Sequence, residues 1–551
     1  MKRFILPAIL LLGFLLRVLW IDKVPVGFTP DEASFGYDAY SILHTGRDQW
    51  GNFLPTTLKS FGDYKSPLYA YLTIPSVAIF GLNVFAVRIP NAIVGALAVY
   101  VVYLLIKEVF TSLGIKGSWR YAIMGAFLVS INSWTVMMSR GAFEANLVTL
   151  FIPLGIYLFL KKKYNLSALV FGLTLFTYHS AKLITPIVVF GLVAIFWRQL
   201  QRIDIRKLMF PLLILLLFIA MFAYSQVVGG AGRINERIIF QGALEEGAKA
   251  KIELIQKGTN PTFAKLLHNK YQVVAQRFVT NYLQYFSFRF LFTRGAAETT
   301  YGMIPGVGVL YIFEGILLLG LIPAVFDKRT RKIVLIFLVW LFVAPIPAAL
   351  ATGVGFSANR AEAMVPVLQI LEVFGVYGLG VLLSRFDKKV ISLASFVFAL
   401  FVIFQIQHVF RVYFTSSPLV AAPGMLSGNI EVAAWLYQNS DGKNVIISRK
   451  LSEPQIYVAF ANKWDPGNYQ NATRDWKVET WVDQIPVYSL GKYTFKNIDL
   501  KTDIKIPNTL VVGLPEEFLP GQTPVKIFYF PDGRKSIEVL DTSLKQYAST
   551  N

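Results

Sequence analysis

Phe28-Thr-Pro-Asp-Glu-Ala-Ser-Phe-Gly-Tyr37 is the stretch from which the rest of the chain can be read. It follows the first apolar run and carries two adjacent acids, Asp31 and Glu32. Thr29 fits the N-cap of a helix, Pro30 its first residue, and Glu32 the far half of a capping box. A short helix is therefore expected to start just outside the apolar phase, with Asp31 in its first turn. Asp31 and Glu32 are the candidate catalytic acids. Asp31 reads as a general base, whereas a capping box accounts for Glu32 as well as chemistry does.

The 551 residues are 55% hydrophobic and only 16% charged, with a mean hydropathy of +0.52. That is too apolar for a water-soluble chain and fits a protein that crosses a membrane several times. The net charge is +20, from 53 basic and 33 acidic residues. In a soluble chain this would suggest nucleic acid; here membrane topology absorbs the excess, and no nucleic-acid partner is expected. The absence of cysteine excludes disulfides, thiolate metal sites and a cysteine nucleophile. His44, His179, His268 and His408 are scattered, so a divalent metal is not indicated.

The first apolar run, 4–21, looks like a signal peptide. Arg17 interrupts it, however, and no small-residue cleavage site follows, so it reads as a retained span. Segment 67–81 is apolar but contains Pro75 and falls short of the roughly 20 residues a crossing needs, which suggests an interfacial helix. Longer runs follow at 85–106, 121–138, 145–160, 166–181, 183–197, 208–224, 306–326, 333–351, 363–383 and 390–410. With the first they make about eleven spans. If the N-terminus is cytoplasmic and 67–81 does not cross, the basic clusters at 2–3, 107–120, 161–163, 198–207, 328–332 and 385–389 all fall on one side. The first outer loop (22–84), a large second loop (225–305) and the C-terminal region then lie outside the cell membrane.

The expected fold is an all-α polytopic membrane bundle, residues 1–410, with a small extracytoplasmic α/β domain at 411–551. In that domain helical patterns at 430–438 and 454–462 alternate with strand patterns at 444–448, 509–512, 525–530 and 536–540. It carries no phosphate loop and no nucleophile motif.

Ionisable residues on the expected outer face recur near one depth. They are Asp63 and Lys65 before the interfacial helix; Arg88 at the start of the next span; Arg140 and Glu144; His179 and Lys182 in a tight turn; Arg294, at the end of the aromatic-basic stretch 281–294; and Arg360. Any one of them could be an interfacial anchor or half of a local pair, as with Arg140 and Glu144 four residues on. Charges collected near a membrane are costly, and as a group they point to a site. A base could take the proton from an acceptor hydroxyl, and cations such as Lys65, Arg294 and Arg360 could hold a departing phosphate. That is the chemistry of transfer from an anionic lipid carrier. The alternative is a polytopic lipid or glycan transporter or flippase, which would place charges or broken helices at mid-bilayer; Arg17 and Pro153 are the main candidates there.

A first span, a loop with Pro30-Asp-Glu32, Lys65-Ser-Pro67 before an aromatic helix, and Val87-Arg-Ile-Pro90 opening a Gly/Ala-rich span together resemble the GT-C membrane glycosyltransferases. The similarity is to the protein O-mannosyltransferase and lipid A aminoarabinose transferase group, glycosyltransferase family 39-like. Specific matches cover 1–190, and hydropathy extends the likeness to 410. The resemblance implies a sugar donor carried on polyprenyl phosphate and an inverting hexosyl or pentosyl transfer. The acceptor would be a hydroxyl of a protein, lipid or glycan on the extracytoplasmic face. Asp31 would be the base, and Lys65 would match a lysine that precedes proline. In the aminoarabinose transferases an acid stands directly before that lysine; here Tyr64 intervenes and Asp63 is two back.

Overall fold

Every apolar run of the sequence forms helix in the computed structural model. The structure describes residues 2–60, 64–228, 239–240, 242–267, 269–296, 299–302, 306–351, 357–474, 476 and 488–544. The N-terminal helices are α1 (Lys2–Val18), α2 (Pro30–Thr45), α3 (Leu68–Phe80), α4 (Val84–Ser112), α5 (Ser118–Ile131), α6 (Ser133–Met138), α7 (Leu147–Leu160), α8 (Tyr164–Thr174), α9 (Ala181–Leu200) and α10 (Ile205–Val228). Among the described residues α4, α9, α10, Arg331–Ala349 and Lys388–Val420 are long and apolar enough to cross a membrane. The bent pair Ala358–Met364 and Val367–Leu383 adds a sixth if it is one span. The other apolar helices, among them Phe4–Val18, Glu144–Leu160, Tyr164–Thr174 and Ile312–Phe326, are 10–17 residues long. An 11-residue helix such as α8 rises about 17 Å, against a hydrocarbon core of about 30 Å. One run is broken outright: the Asn132 side chain accepts from the Thr135 N–H, which ends α5 and restarts the chain as α6.

The expected capping box is present. The Thr29 hydroxyl accepts from the Glu32 N–H, and the Glu32 carboxylate accepts from the Thr29 N–H at 3.0 Å. Gly46, left-handed at φ +68°, closes α2. The helix is buried over most of its circumference because it lies between α3 and α4 on one side and C-terminal helices on the other.

The C-terminal region forms a six-stranded sheet of β3 (Asn444–Ser448), β4 (Tyr488–Leu490), β5 (Tyr493–Lys496), β6 (Thr509–Gly513), β7 (Lys526–Tyr529) and β8 (Lys535–Asp541); β1 (Leu58–Lys59) and β2 (Tyr64–Lys65) pair separately in the first outer loop. The six run in the order β4-β5-β3-β6-β8-β7. β3 is parallel to β5 and β6, and the other pairings are antiparallel. The β4–β5 hairpin is absent from the sequence reading. Its buried residues Tyr488, Leu490, Tyr493 and Phe495 do alternate with less buried ones, but each strand is only three or four residues long.

One hydrophobic core joins Phe28, Phe35, Tyr69 and Val87 to Phe460, Ile447, Val512 and Val539. The sheet therefore rests on α2 through its own helices. Gly36 marks the crossing: a Cβ there would lie 2.5 Å from Val87 Cγ2 and 2.7 Å from Phe460 Cε2. Tyr457, on the helix Pro454–Ala461, donates its hydroxyl to the Phe28 carbonyl at 2.7 Å, and Tyr37 donates to the Trp464 carbonyl at 2.9 Å.

Candidate active site

The connector between α1 and α2 is irregular and turns inward at Ile21, Pro25 and Phe28, so its carbonyls there need donors. Arginines supply them. Arg88 gives one Nη1 to the Ile21 and Pro25 carbonyls at 3.0 and 2.9 Å, and Nη2 to Gly27 at 2.6 Å. Its remaining N–H groups fork onto Glu32, Nε to Oε1 at 2.8 Å and Nη2 to Oε2 at 3.0 Å. Arg140 holds Leu16 and Leu19 at 2.7 Å each and Val24 at 2.8 Å. Arg17 reaches the end of α5 through the Val129 and Ser130 carbonyls at 3.0 and 3.1 Å. All three arginines are fully buried.

Arg88, Arg140 and Glu32, all expected at the site, are turned inward. Every N–H of the Arg88 guanidinium is committed, and Arg140 is turned onto α1, so both act as clamps on the segment that leads to Asp31 and neither offers a phosphate a free fork. Glu32 likewise is fully buried between Arg88, the Thr29 N–H and the Ala142 N–H, the last at 2.9 Å. It shapes the helix start and is closed off from solvent.

Asp31, in the same turn, points the other way. Its side chain is 57% exposed and its Oδ1 lies 2.5 Å from Lys65 Nζ. Lys65 comes from β2, which pairs antiparallel with β1, and its ammonium sits 5.3 Å from the Phe35 ring centre. Burial works against the charged ammonium, but the surrounding acids outweigh it: Asp31, Glu453 and Glu144 together hold the Lys65 pKa above its ordinary value.

Glu144 belongs to a 3-10 turn, Glu144–Asn146, that precedes α7. Burial, helped by the Asp31 charge, pushes its pKa up to about 7. It does not pair with Arg140, because residues 139–143 are not helical and the two side chains diverge. Two carboxylates in unlike settings thus act electrostatically on one lysine, and unlike settings are what separate the roles of an acid and a base.

Glu453, which the sequence reading did not single out, precedes Pro454 at the start of the C-terminal helix that packs on α2. The signal it offered was an acid directly before a proline-led helix start. Asp38 and Asp48 were also missed. Asp38 is fully buried two turns after Asp31 and accepts from the Gln49 backbone and side chain at 3.0 Å each. Burial, then the neighbouring Asp48, pushes it up to about 8.

The other expected residues take varied positions. His179 contacts the Tyr64 carbonyl at 3.3 Å and Lys182 at 3.2 Å, which brings both to the back of the Lys65 strand. Arg360 lies on the short helix Ala358–Ala361, which packs against the Glu144 turn, and the adjacent Asn359 donates to the Tyr178 hydroxyl at 3.3 Å. Arg294 is exposed after the π-helical turn Arg289–Thr293. Asp63 lies outside the described residues.

No protein-family model matches the chain, and no curated protein sequence matches it. Solved structures do. ArnT from Cupriavidus metallidurans bound to undecaprenyl phosphate aligns over 100% of this chain and 99% of its own, with a TM-score of 0.53 at 10% identity. The apo state of the same protein aligns over the same shares at 0.50 and 11%. The archaeal oligosaccharyltransferase AglB from Archaeoglobus fulgidus, in complex with an inhibitory peptide and a dolichol-phosphate, aligns over 83% of this chain and 63% of its own, at 0.46 and 15%. End-to-end alignment with ArnT covers the helices, the first outer loop and the C-terminal sheet together: the chain shares the overall fold of that structure.

Proposed function

We propose that this chain is an integral-membrane glycosyltransferase that moves a sugar from a polyprenyl-phosphate carrier to an acceptor hydroxyl on the extracytoplasmic face. The observation that carries the reading is the Asp31–Lys65 pair, an open carboxylate 2.5 Å from a buried ammonium, with Glu144 beside it. The likeness to ArnT, whose structure holds undecaprenyl phosphate, supports the same carrier class here.

Asp31 is the general base: it takes the proton as the acceptor oxygen forms its bond to the anomeric carbon. The bond from that carbon to the phosphate oxygen breaks on the opposite face, which inverts the configuration and releases the lipid phosphate. Lys65 bridges between base and phosphate, and Arg360 adds a second cation from the neighbouring short helix. Glu32 and Arg88 hold the turn on which Asp31 stands. The acceptor is a hydroxyl of a protein, a lipid or a glycan; the sugar is a hexose or pentose.

The test is turnover of a radiolabelled polyprenyl-phosphate sugar by protein reconstituted in lipid, with a hydroxyl acceptor. Asp31→Asn is expected to lose about a hundredfold or more in rate. Equal rates for the variant and the native protein would remove Asp31 from the mechanism.

A further inference from the structure

The 20 residues of α9 set its two ends about 30 Å apart. His179 and Lys182 stand at one end, behind the Lys65 strand. At the other end the turn between α7 and α8 meets the turn between α9 and α10. A polar pocket of about 700 Å³ opens there, lined by Lys162, Lys163, Arg206 and Lys207. It continues into an apolar groove of about 480 Å³ between α8, α9 and α10, whose walls include Phe171, Val189, Leu192 and Leu215. Tyr164 and Ile203 line both spaces.

Charge makes the pocket one-sided. Among the described residues no acid lines either space. Of the nearby acids, Glu108 pairs with Lys161 at 3.1 Å, and Asp204, whose carboxylate accepts from the Arg206 backbone N–H at 3.0 Å, is a single charge outside the lining against four cations in it. Four cations thus converge where an apolar channel begins. Bringing like charges together is unfavourable unless an anion sits between them, and an apolar groove among membrane helices asks for hydrocarbon. An amphiphile with an anionic head meets both demands, and basic pockets between spans are where such heads bind.

We propose that this is a binding site for an anionic diacyl phospholipid of the membrane. Its phosphate lies between the Lys162–Lys163 turn and the Arg206–Lys207 start of α10, and one acyl chain fills the groove between α8, α9 and α10. The site is at the opposite end of α9 from the Asp31 cluster and does not depend on the reaction assigned to that cluster. A lipid seated there would brace the three helices whose far turn carries His179 and Lys182.

The experiment is native mass spectrometry of the purified full chain in detergent, titrated with dioleoyl phosphatidylglycerol. One saturable site is expected. Lys162→Gln with Lys163→Gln, and separately Arg206→Gln with Lys207→Gln, should weaken it by about fivefold per cation removed. These side chains are exposed, so the variants should fold, and size-exclusion behaviour checks that they do. Substituting the remote cluster Arg385, Lys388 and Lys389 by glutamine should leave the site intact. Dioleoyl phosphatidylcholine and dihexanoyl phosphatidylglycerol should each bind far more weakly, the first for want of net charge and the second for want of chain length. Equal loss in the remote-cluster variant would overturn the proposal as general surface attraction. Unchanged affinity in the local variants, equal binding of phosphatidylcholine, or displacement by inorganic phosphate alone would each overturn it as well.

Discussion

Within one helical turn the chain gives two neighbouring acids opposite fates. Glu32 is sealed between the Arg88 fork, the Thr29 N–H and the Ala142 N–H, whereas Asp31 faces outward to Lys65. Removing one partner from a buried pair strands the other, at a cost of about 3–5 kcal/mol. Glu32→Gln and Arg88→Met are each expected to lower stability by that order, and the double variant by less than the sum, as a denaturation cycle would read. Asp31→Asn takes the ion-pair partner from the buried Lys65 ammonium, so some loss of stability is expected beside a much larger loss of activity, and unfolding measured alongside turnover separates the two. Glu144 supplies the pH dependence. With its pKa raised to about 7 by burial and the Asp31 charge, it is neutral below that pH and anionic above it. A protonated Glu144 can lie beside the donor phosphate and give it a hydrogen bond, while an ionised one repels it. The apparent KM for the donor is therefore expected to rise as pH passes through about 7. Glu144→Gln, which mimics the protonated form, should flatten that rise; a wild-type rise that persists in the variant would assign it to another group.

At the scale of elements, α2 is the keystone, and its start was readable from the chain because local chemistry fixes it: the Thr29 cap, Pro30 and Glu32 lie within four residues. What was not readable depends on partners distant in sequence. Arg88 and Arg140 have the same residue type and depth as a phosphate ligand, and only the path of the connector at 19–29 shows that its carbonyls consume their donors. Glu453 reaches the site by way of the C-terminal packing, which no local pattern encodes. The run 121–138 is mostly apolar and reads as a single span; one asparagine side chain divides it. The crossing of α2 with the C-terminal helix is tight enough to test. Gly36→Ala puts a methyl against Val87 and Phe460, and overpacking of this kind costs about 1–3 kcal/mol. Thermal unfolding should show the loss, and limited proteolysis should show the C-terminal sheet released first. A neutral substitution would mean that α2 and the sheet can part without cost.

For the whole molecule the function depends on which side of the membrane each face occupies. The helices at Arg331–Ala349 and Lys388–Val420 and the bent pair at 358–383 have the length and composition to cross, while α3, with 13 residues, rises only about 20 Å and packs beside α2 and α4. If α3 does not cross, the basic turns at 161–163 and 198–207 share one side, and the Asp31 cluster shares the other side with the C-terminal sheet. The lack of native cysteine makes this directly measurable. Ser440, at the end of the helix Asn429–Asn439, is buried and would give a false negative. The next residue, Asp441, has a side chain 95% exposed. A single Asp441→Cys variant should react with a membrane-impermeant thiol reagent in intact cells, and Lys162→Cys should react only after the membrane is opened. The opposite pattern would turn the molecule over. It would place Asp31 in the cytoplasm, and the proposal of an extracytoplasmic transferase would fall with it, because carrier, acceptor and base must meet on one face.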